Sequence, residues 1–144
     1  MNDEPIKLRE FRFQDDFEAV QRLWATAGPG VHLGRSDTPE EIQKKLSRDP
    51  DLFLVAENCE EIVGAVLGGF DGRRGIMYHL AVEAQSRSKG IGALLMAELE
   101  SRLRKKGCVR YYLLVTRGNR EAIRFYENRG CKNLDDLYIF GKDL

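Results

Sequence analysis

The chain has 144 residues with 23 basic and 23 acidic side chains, a formal net charge of zero, which argues against a general nucleic-acid binder because that class carries a basic excess. Hydrophobic content of 42% and charged content of 32% are those of an ordinary soluble globular protein. No apolar stretch approaches the roughly 20 residues needed to span a bilayer, and the acidic start Met1-Asn2-Asp3-Glu4-Pro5 lacks the apolar region of a signal peptide.

The expectation is a single cytoplasmic domain over residues 1–144, with neither membrane nor nucleic acid among its partners. Cys59, Cys108 and Cys131 are odd in number and stand at no metal-ligand spacing, so reduced thiols and no metal site are expected. Cys108 and Cys131 each follow a glycine, where a helix stops and a strand begins.

Taken in order, residues 6–11 read as a first strand. A helix opens at Asp15 or Asp16 and runs to about Ala27, with Phe17, Val20, Leu23 and Trp24 on one face. Gly28-Pro29-Gly30 ends it. After a flexible stretch over 28–37, Thr38-Pro39-Glu40-Glu41 starts a helix: Thr38 caps, Pro39 takes the first position and Glu41 completes a capping box. That helix stops before Pro50. Residues 52–57 and 61–70 form a hairpin around a turn at 58–60. Gly64, Gly68 and Gly69 mark a bulge or a close backbone approach in its second arm. The turn at 71–74 leads to a strand over 76–82.

A helix from Ala93 to about Lys106 turns Leu94, Leu95, Ala97, Leu99 and Leu103 inward, and Gly107 caps it. Residues 109–116 are the most apolar strand. Asn119 starts a final helix carrying Ala122, Ile123, Phe125 and Tyr126, and the tail 131–144 reads as two short strands around 133–136. The order β-α-α-β-β-β-α-β-α-β-β predicts an α+β fold: a mixed sheet of about seven strands flanked by four helices.

Between the strand at 76–82 and its helix lies Arg87-Ser88-Lys89-Gly90-Ile91-Gly92. A strand, a basic glycine-containing loop and a helix start present free backbone N–H groups to an anion. The loop is neither a P-loop nor a dinucleotide fingerprint. On these residues alone, a simple strand-to-helix turn needing one glycine remains open.

Arg87-x-x-Gly90-x-Gly92 after Leu80-Ala81-Val82, together with Asn119-x-x-Ala122-x-x-Phe125-Tyr126-x-x-x-Gly130 and the order of elements, resembles the GNAT (Gcn5-related N-acetyltransferase) family. Within it the chain is similar to small bacterial acetyltransferases, through Gly68 to Gly72 and Tyr78 to Val82. The resemblance spans nearly the whole chain and implies acetyl-CoA as co-substrate. It implies that the pantetheine arm runs along Leu80, Ala81 and Val82, and that a backbone N–H near Leu80 stabilises the oxyanion. It assigns the pyrophosphate to Arg87, Ser88, Lys89, Gly90, Ile91 and Gly92. Asn119 becomes a cofactor contact as well as a helix cap, and Tyr126 the acid that protonates the departing thiolate.

Some members carry a glutamate base at the position of Ile76 or of Leu114; neither is present here. Ala84 and Ser88 stand where many relatives have Pro and Gly. Tyr78 shares a strand face with Ile76 and is the candidate for orienting a water in proton transfer. His79 belongs to the residue type that titrates near neutrality, but strand alternation directs it to the opposite face. Acceptor selection is expected from residues 24–37, including His32 and Arg35, and from the turn at 71–74. The resulting expectation is transfer of an acetyl group from acetyl-CoA to a primary amine, on a small molecule or peptide, by direct attack in a ternary complex. The alternatives are a non-catalytic acyl-CoA-binding sensor or interaction module, or transfer of another acyl group or to a hydroxyl. Edge strands in the tail would allow a homodimer.

Overall fold

The computed structural model describes residues 5–28 and 30–144. The acidic start at 1–4, and Pro29 of the expected helix stop, lie outside the described residues. The strands are β1 (Lys7–Glu10), β2 (Phe53–Asn58), β3 (Glu61–Phe70), β4 (Gly75–Val82) and β5 (Tyr111–Leu113). The helices are α1 (Phe13–Ala25), α2 (Pro39–Arg48), α3 (Ile91–Lys105) and α4 (Arg120–Asn128). The sheet runs β1-β2-β3-β4-β5. Its first three pairings are antiparallel and β4–β5 is parallel, across the α3 crossover.

Strand alternation sorts the core onto two faces. Leu52, Leu54, Val66 and Met77 pack with Ile91, Leu95, Leu99 and Leu103 of α3. Phe53, Val55, Ala65 and Leu67 pack with Val20, Leu23, Trp24 and Ile42 of α1 and α2. Trp24 is 2% exposed and stacks on Phe53, with centroids 5.8 Å apart, so it is core and not an open wall. On α3 the inward stripe is the four-residue row 91-95-99-103 with Met96. Leu94, one 100° step off that row, is 46% exposed, and Ala97 is exposed too, against the inward placement expected for both.

Asp16 does not open α1, which begins at Phe13. It is buried, pairs with the Arg9 guanidinium at 2.6 and 2.8 Å, and accepts the Arg12 N–H at 2.7 Å. Burial alone would push its carboxyl up, but these bonds outweigh burial and hold it below the usual value. The start of α2 is as expected, with Thr38 Oγ1 accepting the Glu41 N–H at 3.3 Å. Both roles foreseen for the β3 glycines occur. Gly64 adjoins an irregularity in the β2–β3 register, and a Cβ on Gly68 would lie 2.5 Å from Leu99 Cδ1.

The sheet has five strands among the described residues, not seven. β5 covers three residues of the expected 109–116, with Val109 86% and Leu114 63% exposed. The tail 131–144 holds no strand, and its Tyr138 and Phe140 are 82% and 92% exposed. The reason is shared: a strand exists by pairing, and a three-residue edge offers too short a ladder to recruit another.

Candidate active site

β4 and β5 pair over Gly75↔Tyr111, Ile76↔Tyr112 and Met77↔Leu113 and then part. The gap is a cavity of about 630 Å³. Leu80, Ala81 and Val82 form one wall, and Arg87, Ser88, Gly90, Ile91 and Gly92 the end at α3. Asn119 and Tyr126 border the far side. Of the residues expected on the donor side, only Lys89 stays off the cavity; it is exposed. Tyr78 also lies outside it.

A bulge shapes the β4 wall. Ala65 faces Ala81 and Leu67 faces Tyr78, so His79 and Leu80 together oppose one residue of β3. His79 takes the left-handed conformation, φ 47°. The extra residue breaks the alternation that would have sent His79 to the α3 face. Its ring instead lies 5.0 Å from that of Trp24, on the α1–α2 side. Beyond the bulge the ladder resumes, with the Glu83 N–H donating to Val63 O at 2.8 Å. By antiparallel alternation the backbone groups of Val82 then point away from β3, into the cavity edge. Arg87 Nε finds the Val82 carbonyl there at 3.1 Å.

The loop into α3 uses two more left-handed residues, Ser88 (φ 73°) and Gly90 (φ 78°). Gly90 is the N-cap and no side chain caps it. The first intrahelical acceptor is Gly90 O, taken by the Leu94 N–H. The N–H groups of Ile91, Gly92 and Ala93 therefore have no helical partner, and these three residues line the cavity end. The helix starts two residues before the expected Ala93, which moves both Ile91 and Gly92 into this first turn. A Cβ on Gly92 would stand 3.3 Å from Phe125 of α4. Arg87 turns its second contact to Ala27 O at 3.2 Å.

Asn119 caps α4, its Oδ1 accepting the Ala122 N–H at 3.2 Å. Tyr126 is held two turns along the same helix. Burial, with Cys131 nearby adding to it, pushes its phenol up to about 12, so the group is a proton donor across the physiological range. Burial pushes Cys131 up as well, which marks it as an inert thiol.

On the α1–α2 side, Tyr78 is 40% exposed and burial raises its phenol. His32 Nε2 meets Thr116 Oγ1 at 3.1 Å, tying the α1–α2 connection to the chain beyond β5. A Cβ on Gly30 in that connection would lie 3.1 Å from Asn119 Nδ2. Arg35 makes a 3.6 Å exposed pair with Asp143. The turn at 71–74 is organised by Asp71, whose carboxylate accepts the Arg74 and Arg73 N–H groups and is held low by them. Sequence reasoning missed Asp37, which meets His79 Nε2 at 2.8 Å. A contact across 42 residues leaves no local signal. Among the described residues no cluster of His, Cys, Asp and Glu could hold a metal, and no helix is long and apolar enough to cross a membrane.

Comparison with known proteins agrees with the fold. Residues 17–131 fit the model of the acetyltransferase (GNAT) family. An acetyltransferase of Pectobacterium atrosepticum is 42% identical over 139 residues, covering 96% of each chain. Ard1 from Thermoplasma volcanium superposes with a TM-score of 0.76 at 28% identity, over 87% of this chain and 81% of that one. PaiA N-acetyltransferase from Thermoplasma acidophilum, solved in complex with coenzyme A, shares the fold with a TM-score of 0.75 at 20% identity, over 88% and 89% of the two chains. The chain belongs to the acetyltransferase (GNAT) family, enzymes that take their acetyl group from acetyl-CoA.

Proposed function

We propose that the protein transfers the acetyl group of acetyl-CoA to a primary amine by direct attack in a ternary complex. The observation that carries this is the cavity where β4 and β5 part, which joins an outward backbone edge, a helix start with free N–H groups and a protonated phenol. The pantetheine arm adds to the β4 edge through Leu80 and Val82, as a strand would. The pyrophosphate takes the N–H groups of Ile91, Gly92 and Ala93, assisted by the positive end of α3. Lys89 contributes long-range attraction from the loop, and Asn119 fixes the far wall. A backbone N–H beside Leu80 receives the charge that develops on the thioester oxygen. Tyr126 protonates the leaving thiolate.

Tyr78, at the acceptor side, orients water around the incoming amine. The neutral net charge and the modest α1–α2 connection fit a small amine or a peptide N-terminus equally. The exposed tail gives a homodimer a surface to form on. A screen of primary amines and N-terminal peptides against acetyl-CoA, with thiol detection, tests the activity. Acetyl-CoA binding without thiol release across that panel would favour a sensor.

A further inference from the structure

Neither Ile76 of β4 nor Leu114, which directly follows β5 at the cavity, carries a titratable group. The bulge supplies a different group. Building on the transferase reading above, we propose that His79, held by Asp37, is the general base for the acceptor amine.

His79 Nε2 lies 2.8 Å from Asp37 Oδ1. An ionised carboxylate only accepts, so Nε2 carries the hydrogen and Nδ1 keeps a bare lone pair. Asp37 is itself fixed: its Oδ2 accepts the Gly34 N–H at 2.9 Å and its backbone oxygen accepts Gln21 Nε2 at 3.3 Å. The two side chains are 16% and 10% exposed, so the pair is shielded yet reachable. Among the described residues, Trp24 Nε1 is the one buried side-chain nitrogen or oxygen without a partner. His79 Nδ1 has no hydrogen bond and is not fully buried. The ring is clamped edge-on by Trp24 at 5.0 Å. Its left-handed backbone, φ 47°, is what turns it to this face.

The placement suits the chemistry. His79 does not itself line the cavity but directly precedes Leu80, which does. Its ring lies on the α1–α2 face, across the sheet from α3 and the donor loop. The other groups facing it do not compete for the proton. Tyr78, with its ring 6.3 Å away, is a phenol that burial keeps protonated. Lys45 of α2 approaches Tyr78 near Gly69 but is paired to Asp49 at 2.7 Å. α1 presents Trp24 and Gln21, both uncharged.

In the step, an N–H bond of the acceptor ammonium breaks and its proton goes to Nδ1, giving an imidazolium balanced by Asp37. The neutral amine attacks the thioester carbon; a C–N bond forms and the C–S bond breaks. The thiolate takes the Tyr126 proton, and the second amine proton, lost as the tetrahedral adduct collapses, passes through water to the Tyr126 phenolate and restores the phenol. One proton passes from His79 to water per turnover. Asp37 touches no reacting atom and is a positioning residue.

The test uses the full chain with acetyl-CoA and propylamine, spermidine or N-terminal peptides as acceptors, following kcat/KM against pH for the acceptor that turns over fastest. Wild type should show an acid limb of one proton. His79→Gln should lose that limb and fall about 100-fold near neutral pH, with acetyl-CoA affinity unchanged and the deficit shrinking as pH nears the amine's own pKa. Asp37→Asn should shift the limb without removing it. Nitrogen NMR of wild type, with only two histidines to assign, should show His79 in the Nε2–H form; this readout survives if a variant fails to fold. A His79→Gln enzyme that keeps the wild-type rate and acid limb, or a His79 carrying its hydrogen on Nδ1, overturns the dyad while leaving the transferase intact. Wild type that releases no thiol with any acceptor overturns both.

Discussion

Arg87 donates from Nε to the Val82 carbonyl at 3.1 Å and from its terminal nitrogen to Ala27 O at 3.2 Å. The guanidinium thus occupies the β4 edge on which a pantetheine amide would bond. In the proposed binding mode it would swing outward as the cofactor arrives, and its charge would then be free for the phosphates. Arg87→Ala removes that charge. Acetyl-CoA affinity should fall about tenfold, and its salt dependence should flatten, because an exposed ion pair is screened by salt. Calorimetry at two ionic strengths checks both.

Gly90 begins α3 at φ 78°, where a Cβ costs about 1 kcal/mol. Gly90→Val should lower thermal stability by about that amount and weaken acetyl-CoA more than the strain alone explains, since the free N–H groups shift with the cap. Thermal unfolding with and without acetyl-CoA separates the two effects. Ligand stabilisation should shrink more than the apo melting point does.

Tyr126→Phe removes the phenol and keeps the ring against Phe125, 5.3 Å away. Turnover should drop on the order of 100-fold, as for loss of a general acid, with acetyl-CoA affinity nearly unchanged. Stopped-flow thiol release and calorimetry make the comparison. Equal turnover would remove the acid role from Tyr126.

Asp16 and Arg9 form a buried pair, and the Asp16 carboxyl lies below its ordinary value in the fold. A depressed carboxyl stabilises fully above its unfolded value, and that contribution is lost as pH falls through the folded one. Stability should therefore decline in acid below about pH 4. Asp16→Asn, which leaves Arg9 with Glu57 as its one carboxylate partner, should lose about 3 kcal/mol at neutral pH and show a flatter acid decline. Urea denaturation across a pH series measures it.

How much could be read in the sequence depends on how local each feature is. The strand, loop and helix start at 76–92 are set by neighbouring residues, and the cavity forms where that order places it. The Thr38 cap and the Asn119 cap are local in the same way. The bulge at His79 was hidden, since it arises from the β3–β4 register and no glycine marks it. Asp37 was hidden because its partner is distant in the chain. Residues 109–116 and the tail carry the apolar pattern of strands but do not form them in full, because β4 pairs with β5 only as far as Met77 and leaves most of that pattern without a ladder. Asp16 showed a helix start by type, yet its buried guanidinium partner sits seven residues back on β1.

Amide hydrogen exchange of the full chain with and without acetyl-CoA tests the placement of the donor most directly. Protection should rise at Leu80, Val82 and Ile91 to Ala93, with β1 and β2 unchanged. Acetyl-CoA that binds and leaves those amides unprotected would contradict the account.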